Sequence, residues 1–213
     1  MLSLRESILK NAHSSVLTTF IEEVFNTAGL KPHELDAIAV SEGPGSYTGL
    51  RIGVATAKGL CYALDKPLIA ISTLKSMASG MLTLQLQTPN SELQTLFCPM
   101  IDARRMEVFS AVYNYGLEEV RETLAEIITE SSFAGILKDH IMFFAGDGAE
   151  KCKPYLEKYG NAMFLNNFQA SAKNMISLAE SRYLASEFED LAYFEPRYLK
   201  DFIAGKPQVK GLN

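Results

Sequence analysis

Cysteine and histidine are scarce in this chain, and both shortages restrict its chemistry. Its 213 residues hold three cysteines, Cys61, Cys98 and Cys152. The number is odd and no two stand close, which argues against a disulfide framework or a zinc site and predicts reduced thiols acting as small apolar core residues. The three histidines, His13, His33 and His140, form no His-x-x-x-His pair, so no metal site is expected. No run approaches the roughly 18 apolar residues of a membrane-spanning helix. Met1-Leu-Ser-Leu-Arg5 lacks the apolar core of a signal peptide. Positive charge is also in short supply: 20 Lys and Arg stand against 25 Asp and Glu, a formal net charge of -5. A broad basic surface for autonomous nucleic-acid binding is not expected, whereas RNA could be met through a basic partner. These absences together predict a soluble cytoplasmic protein with no membrane contact.

What is present is an ordinary globular composition, 47% hydrophobic and 21% charged, on a chain long enough for one large domain or two small ones. Met1–Leu9 reads as a short strand, with Leu2 and Leu4 alternating against polar neighbours. Asn11–Ser15 is a polar break ahead of a helix over Val16–Ala28, where Val16, Leu17, Phe20, Ile21, Val24 and Phe25 share one wide face and Gly29 stands at the end. A buried strand over Leu35–Val40 follows, then a glycine turn, a helix over Tyr47–Leu64, a strand over Leu68–Ile71 and a helix from Ser72 to about Leu86. The polar stretch Gln87–Gln94 is the candidate boundary between two units, residues 1–88 and 95–204. The second unit reads as strands at Leu96–Ile101, Glu107–Tyr115 and Glu118–Thr123, a short helix within Ile127–Leu137, a strand at Ile141–Ala145, a helix at Ala149–Tyr159, a short strand at Ala162–Leu165 and a last helix over Ala172–Phe188. Residues 205–213 read as a flexible tail. The strand–helix alternation predicts an α/β fold.

The most informative segment is Gly43-Pro-Gly-Ser-Tyr-Thr-Gly-Leu-Arg-Ile-Gly53. Gly43 and Gly45 follow a buried strand, and Ser46 or Thr48 is placed to cap the helix behind them. Bare amides at a helix N-terminus favour phosphate, so Gly43, Gly45, Ser46 and Thr48 form a candidate phosphate or nucleotide loop. A tight structural turn is the competing reading. The spacing is neither that of a Walker A loop nor Gly-x-Gly-x-x-Gly. Gly146-Asp147-Gly148 repeats the strand-to-helix geometry, with the same two readings. Along the helix, Gly49, Gly53 and Ala57 form one stripe of small residues and Ala55, Gly59 and Ala63 another. Glycine inside a helix costs roughly 1 kcal/mol against alanine, so the stripes predict close backbone approach on two sides, one to the sheet and one to a second helix or another chain. Asp102, Arg104, Arg105 and Glu107 make a charged turn, read either as a solvated turn or as an interlobe or RNA-phosphate contact.

Residues 41–53 resemble the signature of the TsaB family, also called YeaZ. His13-Ser14, Lys58-Gly59-Leu60, Ile71-Ser-Thr-Leu74, Asp102-Ala-Arg104 with Glu107-Val-Phe109, Gly146-Asp-Gly148 and Pro196-x-Tyr-Leu199 match in order along essentially the whole chain. The resemblance implies two ribonuclease-H-like lobes of the actin, sugar-kinase and Hsp70 superfamily. It implies a non-catalytic scaffold or activator subunit that pairs with a TsaD-like transferase, alongside a TsaE-like ATPase, to form N6-threonylcarbamoyladenosine in tRNA. Pairing, with itself or with the TsaD-like subunit, would use the first two helices, with Val16, Leu17, Phe20, Ile21, Gly49, Gly53, Ala57 and Leu60 as candidate interface residues. No catalytic residue and no metal ligand is implied. No cofactor is expected on this chain alone; ATP or ADP is expected only through the complex, and tRNA likewise. A metallopeptidase would require metal-binding histidines that are absent from the pattern. The competing function is an actin-like-fold phosphotransferase or ATPase, for which Asp102 is the sole general-base candidate and a poor one.

The chain departs from the family at its start. The family opens with a strand hairpin and an Asp-Thr-Ser-like phosphate-facing turn before the strand that matches Met1–Leu9, and neither is found here. The expectation is an incomplete N-terminal lobe with bare inner sheet edges, poor stability alone, and a weakened nucleotide site.

Overall fold

The computed structural model describes residues 1–7, 13–85 and 94–200. The expected boundary over Gln87–Gln94 lies, except for Gln94, outside the described residues, as do the tail 205–213 and the last two residues of the Met1–Leu9 segment.

The described residues build two sheets. In the first half, α1 (His13–Ala28), β1 (Ile38–Gly43), α2 (Tyr47–Leu64), β2 (Leu68–Ser72) and α3 (Thr73–Gln85) follow one another. Strands β1 and β2 pair in parallel, from Ile38 opposite Leu68 to Gly43 opposite Ser72. The second half supplies β3 (Gln94–Asp102), β4 (Glu107–Tyr113), β5 (Glu119–Ile127), α4 (Ala134–Leu137), β6 (His140–Ala145), α5 (Ala149–Leu156), β7 (Ala162–Leu165) and α6 (Ile176–Leu184). Its five strands run in the order β5-β4-β3-β6-β7. The β5-β4-β3 side is antiparallel and the β3-β6-β7 side is parallel. Strands β3 and β6 are apolar runs because both of their faces are covered.

Three apolar clusters hold this arrangement. One face of the larger sheet packs Cys98, Met100, Val108, Met142 and Phe144 against Phe133, Leu137, Cys152 and Leu156 of the α4–α5 side. The other face packs Phe97, Ala111, Tyr113 and Ala145 against Leu74, Met77, Ala78 and Met81 of α3. Helix α3 also touches β1 and β2, so it is the layer between the two sheets. The smaller sheet has a thin core, Ala57, Cys61 and Leu68, with Ile38, Val40, Leu191 and Phe194 packed around it. All three cysteines are buried thiols.

Several elements differ from the sequence reading for identifiable reasons. Residues 1–7 are not a strand. Arg5 is tied instead to α1, through Glu23 at 2.9 Å and the Thr27 hydroxyl at 3.1 Å, and the alternation of Leu2 and Leu4 meets no sheet to pack on. Strand β1 starts at Ile38 rather than Leu35, because Pro32–Glu34 forms a 3-10 turn closed by the Lys31 amide on the Glu34 carboxylate at 2.6 Å. The last helix begins as a 3-10 turn at Ala172–Met175 and stops at Leu184, where Ser186 turns left-handed at φ 55°. Helix α5 ends at Leu156 rather than Tyr159. Residues 172–200, placed with the second unit by sequence order, cross back to the first. The Glu189 amide donates to the Leu68 carbonyl at 2.9 Å, the Arg197 amide to the Glu42 carbonyl at 2.7 Å, and Arg182 bonds the Ala70 carbonyl.

Candidate functional site

The glycine turn sits at the C-terminal end of β1. Gly43 is buried with φ 118°, a conformation glycine adopts freely. A Cβ there would lie 2.7 Å from the Arg197 carbonyl oxygen. The turn is therefore pressed against the returning segment 189–200, here termed the strap. Ser46 caps α2 by accepting the Gly49 amide at 3.3 Å, while Thr48 is exposed and makes no cap. What lies over the α2 N-terminus is the chain itself. The Tyr198 ring packs on Tyr47 with centroids 4.7 Å apart, and the Arg51 guanidinium lies 4.9 Å from the Tyr47 centroid. Lys58 fastens the strap further along, donating to the carbonyls of Ala192 at 3.2 Å and Phe194 at 3.0 Å.

The second turn is packed from below. Gly146 has φ 107°, and a Cβ on it would lie 2.2 Å from the Met100 carbonyl oxygen; one on Gly148 would lie 2.9 Å from the Ile101 carbonyl carbon. Asp147 accepts the Asp102 amide at 2.9 Å, and the Gly148 amide donates to the Met100 carbonyl at 3.1 Å. Both glycines are explained by close approach to β3. The charged turn is tied to the same place: Lys151 bonds the Asp102 carboxylate and donates to the carbonyls of Arg105 at 2.8 Å and Glu107 at 2.7 Å. Asp102 also accepts the Arg104 amide at 2.9 Å, so its carboxylate organises the turn. Glu107 in turn bonds Lys200 of the strap.

The helix stripes separate cleanly. Ala57 is buried and a Cβ on Gly53 would sit 3.9 Å from Val40, so the Gly49–Gly53–Ala57 side faces β1. Ala55, Gly59 and Ala63 are exposed, beside a Tyr62 that is 83% exposed. Helix α1 lies against α2. Of its apolar face, Val16, Leu17, Phe20, Ile21, Val24 and Phe25 are each only half-buried, as is Leu60 on α2. The sequence-predicted interface set is thus divided: Ala57 belongs to the internal core, and the α1 residues keep apolar area uncovered. His13 begins α1.

The strap also shapes the electrostatics. Burial pushes the Glu42 carboxyl above its usual range, and Glu189 adds to this, while Arg197 and Arg182 oppose it. Tyr113 has its phenol pushed up to about 12, by burial first and by Glu119 second, with Ser72 and Thr123 nearby opposing the rise. Ser72 ends β2 and Tyr113 ends β4. Arg197, Lys151 and Lys200 were not singled out from the sequence, while Arg51 and Tyr198 stood inside the quoted runs 43–53 and 196–199 with no role assigned to them. The match Pro196-x-Tyr-Leu199 pointed at the strap, but no local periodicity says that a C-terminal segment returns to a turn 150 residues earlier. Among the described residues no cluster of His, Cys, Asp and Glu could hold a metal ion, and no helix is long and apolar enough to cross a membrane.

Known proteins share this architecture. The family model described as TsaD, tRNA N6-adenosine threonylcarbamoyltransferase, matches residues 7–207. The TsaB tRNA threonylcarbamoyladenosine biosynthesis protein of Haemophilus influenzae is 31% identical, with 93% of this chain and 84% of that protein covered. Its Escherichia coli counterpart is 26% identical, covering 91% and 83%. Among solved structures, YeaZ from Pseudomonas aeruginosa superimposes with a TM-score of 0.69 at 25% identity, over 91% of this chain and 87% of that one. With the two-lobed strand order and the Gly43–Gly53 turn, these matches show an actin-like, ribonuclease-H-like fold, and the chain belongs to the TsaB (YeaZ) family.

Proposed function

We propose that this chain is an accessory subunit in the formation of N6-threonylcarbamoyladenosine in tRNA, and that it acts by pairing with a TsaD-like transferase rather than by carrying the chemistry. The observation that supports this most directly is the α1 face. Six apolar side chains share one side of α1, which lies against α2, and none is fully buried. Burial of apolar area is worth about 25 cal/mol per Å², so a second body with a matching face gains by covering it. In isolation a second copy of this chain covers it; in the working complex the TsaD-like subunit does. A TsaE-like ATPase, the nucleotide and the tRNA join through that complex, in the cytoplasm. The phosphotransferase or ATPase reading is not favoured: the first glycine turn is covered by the strap, and the glycines of the second are filled from below by β3.

Co-purification with a TsaD-like partner tests the reading, scored by threonylcarbamoyladenosine formation with and without this chain. Leu17→Glu and Phe20→Asp should abolish pairing in sedimentation velocity and lower product formation together. Product formed at the same rate without this chain, or pairing untouched by both substitutions, would overturn it.

A further inference from the structure

We propose that the cleft between α3 and the β7–α6 connection is a docking groove for an extended, uncharged peptide segment of another protein. The cleft holds about 950 Å³. Ser79, Gly80, Thr83 and Leu84 of α3 line one side, and residues 167–174 with Ile176 and Ser177 line another. Met1 and residues 5–7 complete it. Three side-chain carboxamides, Asn167, Gln169 and Asn174, belong to this lining, and among the described residues none of them makes a hydrogen bond. The segment that carries them is fixed in place. Asn167 turns left-handed at φ 58°, which asparagine tolerates. Phe168 packs on the core beneath, and Ser171 caps the 3-10 turn by accepting the Lys173 amide at 3.3 Å. Asn174 lies so close on α3 that a Cβ on Gly80 would overlap its carboxamide. Side chains held this way have less freedom to lose on binding.

The chemistry of the lining selects the occupant. A carboxamide offers a donor and an acceptor side by side, the complement of a peptide group. Leu84 and Ile176, one on α3 and one at the start of α6, are 59% and 46% exposed and offer apolar contact to side chains of an extended segment. Main-chain bonds with side-chain pockets between them are a recurring way to hold such a segment. The charge is balanced: Arg5 is spent on Glu23 and the Thr27 hydroxyl, which leaves Glu6 against Lys173. A polyanion would meet one cation and one carboxylate. A sugar would leave Leu84 and Ile176 uncovered, whereas a peptide uses the amides and the apolar residues together. Among the described residues the lining includes none from α1 or α2, so this groove stands apart from the pairing face proposed above.

The test is selection of a displayed random heptapeptide library on the full chain. Enriched sequences are then made with blocked ends and measured by fluorescence polarisation. Expected are peptides without net charge that bind saturably. Asn174→Ala and Gln169→Ala should each weaken them roughly three- to tenfold, and Ile176→Glu should weaken them further. Gln169 is exposed, so its variant reads the contact without disturbing the fold. N-methylation of the central peptide bonds should remove binding, because it deletes the main-chain donors. No enrichment over the unselected library overturns the proposal, as does a selected set that is uniformly acidic. Binding that the three substitutions and N-methylation leave unchanged also overturns it. So does binding lost in Leu17→Glu but kept in Gln169→Ala and Ile176→Glu, which would put the peptide on the pairing face. Subunit pairing is read separately: its failure with peptide binding intact rejects the subunit role alone, and the converse rejects this groove alone.

Discussion

Helices α1 and α3 carry apolar faces of similar quality, yet they end in different environments. Leu74, Met77, Ala78 and Met81 of α3 are buried because that helix lies between two sheets. Helix α1 lies against α2, and its apolar face stays half-exposed. An amphipathic pattern states what a helix can bury, and the neighbours decide how much it does. The same contrast runs through the two halves. The five-stranded sheet has a core on each face, whereas the two-stranded sheet has a few buried residues and a strap.

Leucine-to-alanine substitutions on the two helices give the largest expected difference. Leu74 is fully buried, so Leu74→Ala should cost about 2–5 kcal/mol of unfolding free energy. Leu17→Ala should cost about 1 kcal/mol or less in the monomer, since only part of the side chain leaves water. Urea denaturation measures both. Equal costs would mean that α1 is as well packed as α3, and the reading of its face as unfinished would fall.

The two glycine turns sharpen the comparison at a smaller scale. Gly146→Ala should cost roughly 3 kcal/mol, because positive φ and a clash with β3 backbone act together and a central strand cannot move away. Gly43→Ala meets the Arg197 carbonyl, which belongs to a strap on the surface. It should cost roughly 1–2 kcal/mol and make the strap more sensitive to protease. Strap cleavage unchanged from the parent would show that Gly43 and Arg197 are not coupled.

Much of this architecture could be read from the residues, and the limits are physical. Helix α2 was expected at the bounds it has, because its cap Ser46, its apolar spacing and its stop at Asp65 are all local. The segments that became β4 and β5 were both expected as strands, and their short connection lets them pair antiparallel. The Met1–Leu9 strand failed because alternation in a short segment says nothing about whether a ladder is available to it. The strap failed to show because Arg197 meets Glu42, and Tyr198 meets Tyr47, across 150 residues of intervening chain. The glycine turns were legible as turns. What presses on them was not, and that decides between a phosphate cradle and a packed corner.

Two buried-edge carboxylates, one in each half, should respond to pH with opposite signs, and this is the smallest effect. Burial holds Glu42 above its ordinary 4.5, against the pull of Arg197. The folded state then binds more protons than the unfolded one, so Glu42 subtracts stability as pH rises through its folded value. Glu126 on β5 is pushed up by burial but pulled below its ordinary value by Arg121, hydrogen-bonded at 2.8 Å, and by Ser110. It adds stability above 4.5, lost as pH falls through its folded value. Glu42→Gln should therefore be more stable than the parent at neutral pH, and Glu126→Gln less stable, with both differences shrinking in acid. Urea midpoints across the acid-to-neutral range measure this. A Glu42→Gln variant less stable at neutral pH would mean that the Arg197 charge outweighs burial. The strap would then be held to the glycine turn by an ion pair, and the two halves would resemble each other in the one respect where they are expected to differ in sign.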